Sequence, residues 1–505
     1  MANEQIMNSD FANLVIEGYD VLHGNFFRNE WALSGVSFTA TDIPFYAIGA
    51  AVAGISSEAY VLAVTLMLVF AAFAGAFLMF DDISFCRSRI VPVCIYLGIV
   101  AFPCGFWGNI GRAHIGSFAW AFAGLYFLNR MRKTESAPKK YVIPAIVFLA
   151  LSAWGDSVAL AGIIMPVVLL ECYRLFIDFI QKKPIRKTAG LYSAAAAFSG
   201  AVLGMVLDKL YFVIGSADKN TFMQSKLFLP VEEYYDRATM LFECIFMVND
   251  AGFMNTPLLS ANTALYFVRS LFVVAGLVLI VYYSVRALAN RSCDFICSVL
   301  SIGYVILSLL FVITNISVDF SSFRYLSHTP VVFAILIVRT YTVLIEKYGE
   351  RIRKDFVMWA AAALSVVLLT VSALPLPQWY IVKDESLDKA IDVLEAEGLT
   401  CGYSDYWNAS QMTVMSLGKV KSRAVIWDGE IFRIHYWICR SDWYSEPAHF
   451  VLVDEGMTVH GITEDTVVQA YGEPDRIIDV EDIHIYIYDE DISFKENPEN
   501  IPELE

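Results

Sequence analysis

Apolar residues along this chain gather into ten runs of membrane-spanning or nearly membrane-spanning length, at 59–80, 90–108, 115–129, 141–155, 157–176, 189–207, 264–285, 295–315, 328–345 and 356–374. A helix needs about 20 apolar residues to cross a bilayer core, so the runs at 115–129 and 141–155 reach across only with help from flanking residues. The connections between runs alternate in charge. Arg87 and Arg89, the cluster at 130–140, the cluster at 182–187, Arg286 with Arg291, and the cluster at 347–354 fall in every second connection. The positive-inside rule assigns these to the cytoplasm, which leaves the alternate connections and both ends of the chain outside.

The pattern predicts an α-helical polytopic membrane protein of about ten spans with a C-terminal soluble α/β domain. Residues 1–57 form an outer stretch with short juxtamembrane helices. At 10–22, Phe11, Leu14, Val15, Val21 and Leu22 recur at helical spacing, and 43–55 is apolar but too short to cross. Residues 58–374 are the transmembrane region. Its long outer loop at 208–263 carries Tyr211, Tyr234, Tyr235 and Phe246 among polar residues, which predicts a segment on the membrane interface. Residues 375–505 open with Pro375-Leu376-Pro377, a helix stop, and form the extracytoplasmic domain. Helices are expected at 384–398, 407–417 and 464–471, strands at 399–403, 423–427 and 450–454, and a closing hairpin from 477–480 and 483–488.

Composition sharpens this picture at one point. The net charge is −16, but the stretch from Pro375 onward holds 27 acidic and 9 basic residues, a net of −18. The acidity belongs to the tail, the membrane region is near neutral, and nucleic acid is excluded as a partner. The nine cysteines show no metal-ligand spacing, and Cys293 and Cys297 read as buried thiols at a cytoplasmic edge. Cys401 and Cys439 share the outer side, so a disulfide between them stays open. Residues 1–8 lack the basic start and apolar core of a signal peptide. An outer N-terminus therefore implies either translocation of the tail by the first span or a further hydrophobic helix ahead of Met1.

Ionisable groups at the outer membrane edge call for a reason, because desolvating an unpaired charge costs several kcal/mol. Asp10 opens one helical stretch and Asp42 precedes Ile43-Pro44, so both fit helix caps as well as chemistry. Asp156 lies where two apolar runs meet and either caps the second or faces a substrate. Arg112, His114, Arg324 and Tyr325 lie in outer connections, against the usual charge bias. Arginine grips phosphate with a two-pronged fork, so Arg112 and Arg324 suit a lipid-linked phosphate, while ion pairs with Asp156 or Asp319 are the plainer account. No phosphate-binding Gly-rich loop, HExxH or GxSxG is present, and no span carries the paired mid-helix charges of an ion-coupled transporter.

The order Asn8-Ser9-Asp10, Leu22-His23-Gly24-Asn25, Trp31, Thr41-Asp42-Ile43-Pro44, the outer Asp156, Arg324-Tyr325-Leu326 and Gly402-Tyr403-Ser404-Asp405-Tyr406-Trp407-Asn408 resembles bacterial polytopic glycosyltransferases of the GT-C superfamily. The nearest branch is that of the protein-mannosyltransferases and aminoarabinose transferases. The resemblance implies an inverting transfer of a hexose or pentose from a polyprenyl-phosphate donor to an envelope acceptor outside the membrane, be it glycan, lipid or protein. It implies Asp10 as the base, with Asp42 as a second catalytic carboxylate. Arg112, His114, Asp156, Arg324 and Tyr325 would bind substrate. No cofactor is required, although a divalent metal stays open. The alternative is a non-catalytic membrane transporter or envelope scaffold whose outer domain binds a partner.

Overall fold

The computed structural model describes residues 8–81, 90–100, 114–134, 139–182, 189–219, 228–253, 257, 260–289, 293–348, 363 and 385–494. Arg112, the basic pairs at 87–89, most of the run at 356–374 and the Pro375–Pro377 stop lie outside them.

Helix α1 (Ser9–Leu22) begins where Asn8, its N-cap, accepts the Phe11 N–H at 3.3 Å. Asp10 stands in the first turn, where the helix dipole favours a carboxylate. Helix α2 (Ile43–Ala53) lies along α1, and the contact is close because Gly18 has no side chain: a Cβ there would come within 2.6 Å of the Tyr46 backbone. Helix α3 (Ser57–Phe80) follows, capped by Ser56, which accepts the Ala59 N–H at 3.2 Å.

The helical bundle continues with α4 (Ile90–Val100), α5 (Ile115–Arg132) and α6 (Lys139–Ala153). A π turn (Leu160–Ile164) then runs into α7 (Met165–Ile180), followed by α8 (Ala189–Ile214) and the short α9 (Tyr234–Met247). Next come α10 (Ala261–Leu288), α11 (Phe295–Ile313), a 3-10 helix (Phe320–Leu326) and α12 (Thr329–Tyr348).

Among the described residues five helices are long and apolar enough to cross a membrane: Ser57–Phe80, Leu160–Ile180, Ala189–Ile214, Tyr266–Leu288 and Phe295–Ile313. A sixth results if the 3-10 helix and α12, bent by 44°, form one broken span. This is the helical make-up of a multi-pass membrane protein. Phe73, Val213 and Val278 stand exposed on these helices, as lipid-facing positions require. Five or six of the expected ten spans are thus found among the described residues. The run at 141–155 forms a 15-residue helix, that at 115–129 forms one of 18 residues ending in arginines, and only 90–100 of the second run is described.

At the end of the bundle that carries the basic connections, three acids among the described residues form ion pairs. Asp81 takes Arg130 and Lys133, the latter at 2.8 Å; Glu171 takes Arg132 at 2.7 Å and Arg174 at 2.9 Å; Asp294 takes Arg339.

The C-terminal part holds α13 (Glu385–Glu397), α14 (Tyr406–Met415) and α15 (Glu464–Tyr471) around a six-stranded sheet. Its strands are β3 (Cys401–Ser404), β4 (Lys421–Trp427), β5 (Phe432–Ile434), β7 (Phe450–Asp454), β8 (Arg476–Val480) and β9 (Ile483–Ile487), in the order β5-β4-β3-β7-β9-β8. β4, β3 and β7 run parallel, flanked by antiparallel β5 and β9. A second sheet joins β1 (Trp31–Leu33), β2 (Asp218–Lys219) and β6 (Cys439–Arg440), so Ala32 pairs with both Asp218 and Cys439. It stitches the N-terminal loop to the C-terminal region. Cys401 and Cys439 are both free, buried thiols in different sheets, which corrects the disulfide reading.

The tightest helix crossing is between α11 and the π turn, where a Cβ on Gly303 would meet the Gly162 carbonyl oxygen at 1.7 Å. Gly303→Ala is expected to lower stability by about 1–3 kcal/mol, because the opposing atom is backbone and cannot swing away. Thermal unfolding of the purified protein checks this against Gly252→Ala, whose Cβ would meet nothing within 4 Å. Equal midpoints for the two variants would contradict the crossing.

Candidate functional site

Two constellations of polar residues are built where the helices meet their connecting loops. The first centres on His114, which is buried and occupies the N-cap of α5 with φ of 70°. Its Nδ1 lies 3.0 Å from Asp156 Oδ2. A carboxylate only accepts, so Nδ1 carries the proton. The other Asp156 oxygen accepts the Val158 N–H at 2.9 Å, so this residue does cap the run that follows it, while also orienting the imidazole. The His114 ring packs against Tyr325 at 4.6 Å between centroids and against Phe38 at 5.5 Å. Arg324, half-buried, places its guanidinium 5.5 Å from the Tyr325 ring centre. Among the described residues it makes no ion pair with Asp319 or Asp156, which sets aside the plainer reading of its place in the sequence.

Asp42 belongs to the same constellation. It stands at the N-cap position of α2, yet its side chain makes no capping bond, and neither carboxylate oxygen has a hydrogen bond of good geometry although the residue is wholly buried. The cap explanation is therefore corrected. Gly116, in the first turn of α5, lets that helix abut the carboxylate: a Cβ there would come within 2.7 Å of Asp42 Oδ1. Burial, followed by the charge of Asp156, raises the Asp42 carboxyl well above its ordinary value; Thr41 and the His114 backbone offset only part of this.

The second constellation joins α1 to α14. Asp10 is half-buried, and its Oδ1 accepts the hydroxyl of Tyr406, a buried residue at the start of α14. The N-cap of α1 is Asn8, so capping does not account for Asp10. Around Tyr406 stand the rings of His435 at 5.0 Å and His460 at 6.3 Å between centroids. Burial holds the His435 imidazole down at about 4, so it is neutral at physiological pH. Asp405 caps α14 by accepting the Trp407 N–H at 2.7 Å. The Asn408 amide bridges Asp405 and Asp454, at 2.7 and 2.9 Å, across the carboxyl ends of β3 and β7. Burial first, then Asp454, pushes the Asp405 carboxyl up to about 6.

The structure thus gathers Asp42, His114, Asp156, Arg324 and Tyr325, and sets Asp10 against the C-terminal region instead. Arg112 lies outside the described residues. Glu17, Arg28 and Tyr406 were not singled out from the sequence. Tyr406 sits inside the quoted 402–408 motif, but its partner is 396 positions away. Among the described residues no group of three or more His, Cys, Asp or Glu side chains is arranged to hold a metal ion. No model of a known protein family matches the chain, and no curated protein matches it.

The Asp42 environment makes a pH prediction. Between the ordinary carboxyl value of 3.8 and the raised one, the folded protein keeps a proton that the unfolded chain has released. Stability contributed at this site is then present at acid pH and falls as pH rises through that window. The thermal midpoint should decline from about pH 4 towards neutrality, and Asp42→Asn should flatten the decline. An equally steep decline in the variant would show that Asp42 is not held in its neutral form.

Proposed function

We propose that this protein is a membrane glycosyltransferase of GT-C type that moves a hexose or pentose from a polyprenyl-phosphate donor to an envelope acceptor on the outer side of the membrane. The observation that carries the reading is the half-buried carboxylate of Asp10, anchored through one oxygen by Tyr406. It stands at the junction between the apolar helices and a polar, sheet-bearing region. About ten spans and an extracytoplasmic C-terminal domain complete the proposal, on the strength of the alternating basic connections.

The chemistry balances with the residues in hand. Asp10 takes the proton of an acceptor hydroxyl as that oxygen attacks the anomeric carbon with inversion. The bond from that carbon to the phosphate oxygen breaks, and its electron pair leaves with the polyprenyl phosphate. The leaving group is already anionic, so it needs a cation rather than an acid. Arg324 is the cation of the first constellation, its guanidinium lying 5.5 Å from the Tyr325 ring centre. His114, fixed by Asp156, supplies a second polar contact to the donor. Asp42, its ionisation raised by burial, is a second carboxyl available to the site when the donor is bound.

Purified protein in lipid nanodiscs, supplied with a panel of polyprenyl-phosphate hexoses and pentoses and an envelope extract as acceptor, should release polyprenyl phosphate. Asp10→Asn should lower the rate on the order of 100-fold or more with donor binding retained, because a positioned base contributes at least that much. Arg324→Ala should raise the donor KM instead. Release from every donor at the uncatalysed rate, or full activity in Asp10→Asn, would sink the reading.

A further inference from the structure

Among the described residues helix α1 reaches the C-terminal region through six hydrogen bonds, five of them to α14, including the Gln411 N–H to Ser9 Oγ at 3.4 Å, and one from Arg440 on β6 to Asp20 Oδ2 at 2.6 Å. Ser9 Oγ donates to the Trp407 carbonyl at 3.0 Å, and the Ser410 N–H donates to Ser9 Oγ at 3.1 Å. Ser410 Oγ donates to Asn13 Oδ1 at 2.7 Å, and the Tyr406 hydroxyl donates to Asp10 Oδ1. Ser9, Asn13 and Ser410 are buried, so these bonds are desolvated and geometrically fixed. Tyr406 itself has no freedom to turn away. Its backbone follows the Asp405 cap at the carboxyl end of β3, and its ring is walled by Trp407, His435 and His460.

We propose that Tyr406 is a positioning residue for the candidate base: by holding Asp10 Oδ1 it fixes the rotamer of the carboxylate and leaves Oδ2 to meet the acceptor hydroxyl. The inference rests on the proposed transfer reaction. It makes the C-terminal sheet region a working part of the transfer site rather than an appended module. The hydroxyl is suited to the task, since burial and the charge of Asp10 push its ionisation well above the ordinary tyrosine range and it remains a donor at any physiological pH. A base aimed by a fixed donor gains rate through orientation, and the donor need not touch either substrate.

Tyr406→Phe keeps the ring and its neighbours and removes only the hydroxyl. In the full-length protein in nanodiscs it should lower kcat for polyprenyl-phosphate release on the order of tenfold, the loss expected for one hydrogen bond to a charged group, with the donor KM unchanged. Tyr436→Phe is the control, because Tyr436 also bonds a carboxylate, that of Asp218 at 3.1 Å, away from Asp10. A readout independent of turnover is the labelling of Asp10 by a water-soluble carbodiimide with glycine ethyl ester, followed by mass spectrometry. Labelling should be several-fold faster in Tyr406→Phe than in the parent or in Tyr436→Phe. If Asp10→Asn is inactive but Tyr406→Phe turns over and labels like the parent, the positioning role is overturned and the base survives. If no donor is turned over by the parent, the transfer reading fails, and equal labelling would then overturn the Tyr406 contact as well.

Discussion

A buried polar stripe on α1 is the constraint around which the junction between the helical bundle and the sheet region is assembled. Ser9, Asn13 and Glu17 are spaced four residues apart and so lie one above another on a single face of the helix. All three are buried, and a buried polar group must find partners. Ser9 and Asn13 find theirs on α14. Glu17 pairs with Arg28, itself 1% exposed, whose remaining donors reach the Tyr211 hydroxyl at 2.9 Å and Thr39 Oγ1 at 2.7 Å. Ser37 extends this chain to Asp208 at 2.8 Å. One helix thereby ties the N-terminal loop, α8 and the sheet region into a common frame. Breaking a buried ion pair by removing one partner costs about 3–5 kcal/mol, which makes that frame stiff.

The stiffness matters because Asp10 rides on the same helix. Its position is set from below by apolar contacts of Ala12, Val15 and Ile16 with the helical core, and from above by Tyr406. The first constellation is organised differently. There the oxygens of Asp156 are committed to His114 and Val158, whereas those of Asp42 lack a hydrogen bond of good geometry. Two carboxyl groups within electrostatic reach of each other thus have opposite environments, one satisfied and one whose ionisation is raised by burial. Such separation of neighbouring acids is a recurrent device for giving them different tasks.

Much of the local structure was legible in the sequence. The strand at 450–454, the helix at 464–471 and the closing hairpin fall where alternation and Gly472-Glu473-Pro474 place them, and Asp42 with Pro44 marks the start of α2. These are short-range signals, each carried by residues within one turn. The span count is matched only in part, because among the described residues five or six helices are long and apolar enough to cross, while part of the second run and most of the last lie outside them. The reading of α1 as an amphipathic surface helix placed Leu14 and Val15 on the buried face, but it included Leu22, which is exposed, and gave the polar face to water. Nothing in the periodicity of residues 9–22 encodes a cover supplied by residues 406–410, and the same distance in sequence hid Tyr406 as the partner of Asp10.

The docking of α1 on α14 can be tested without assuming any activity. In the full-length protein, Ser9→Cys combined with Ser410→Cys places two thiols where Ser9 Oγ now lies 3.1 Å from the Ser410 backbone nitrogen, within the reach of a disulfide. Oxidation in native membranes followed by peptide mass spectrometry should recover the two segments joined, with neither single variant giving the product. Failure of the double variant to cross-link, in protein that is folded and inserted, would contradict the frame on which the site depends.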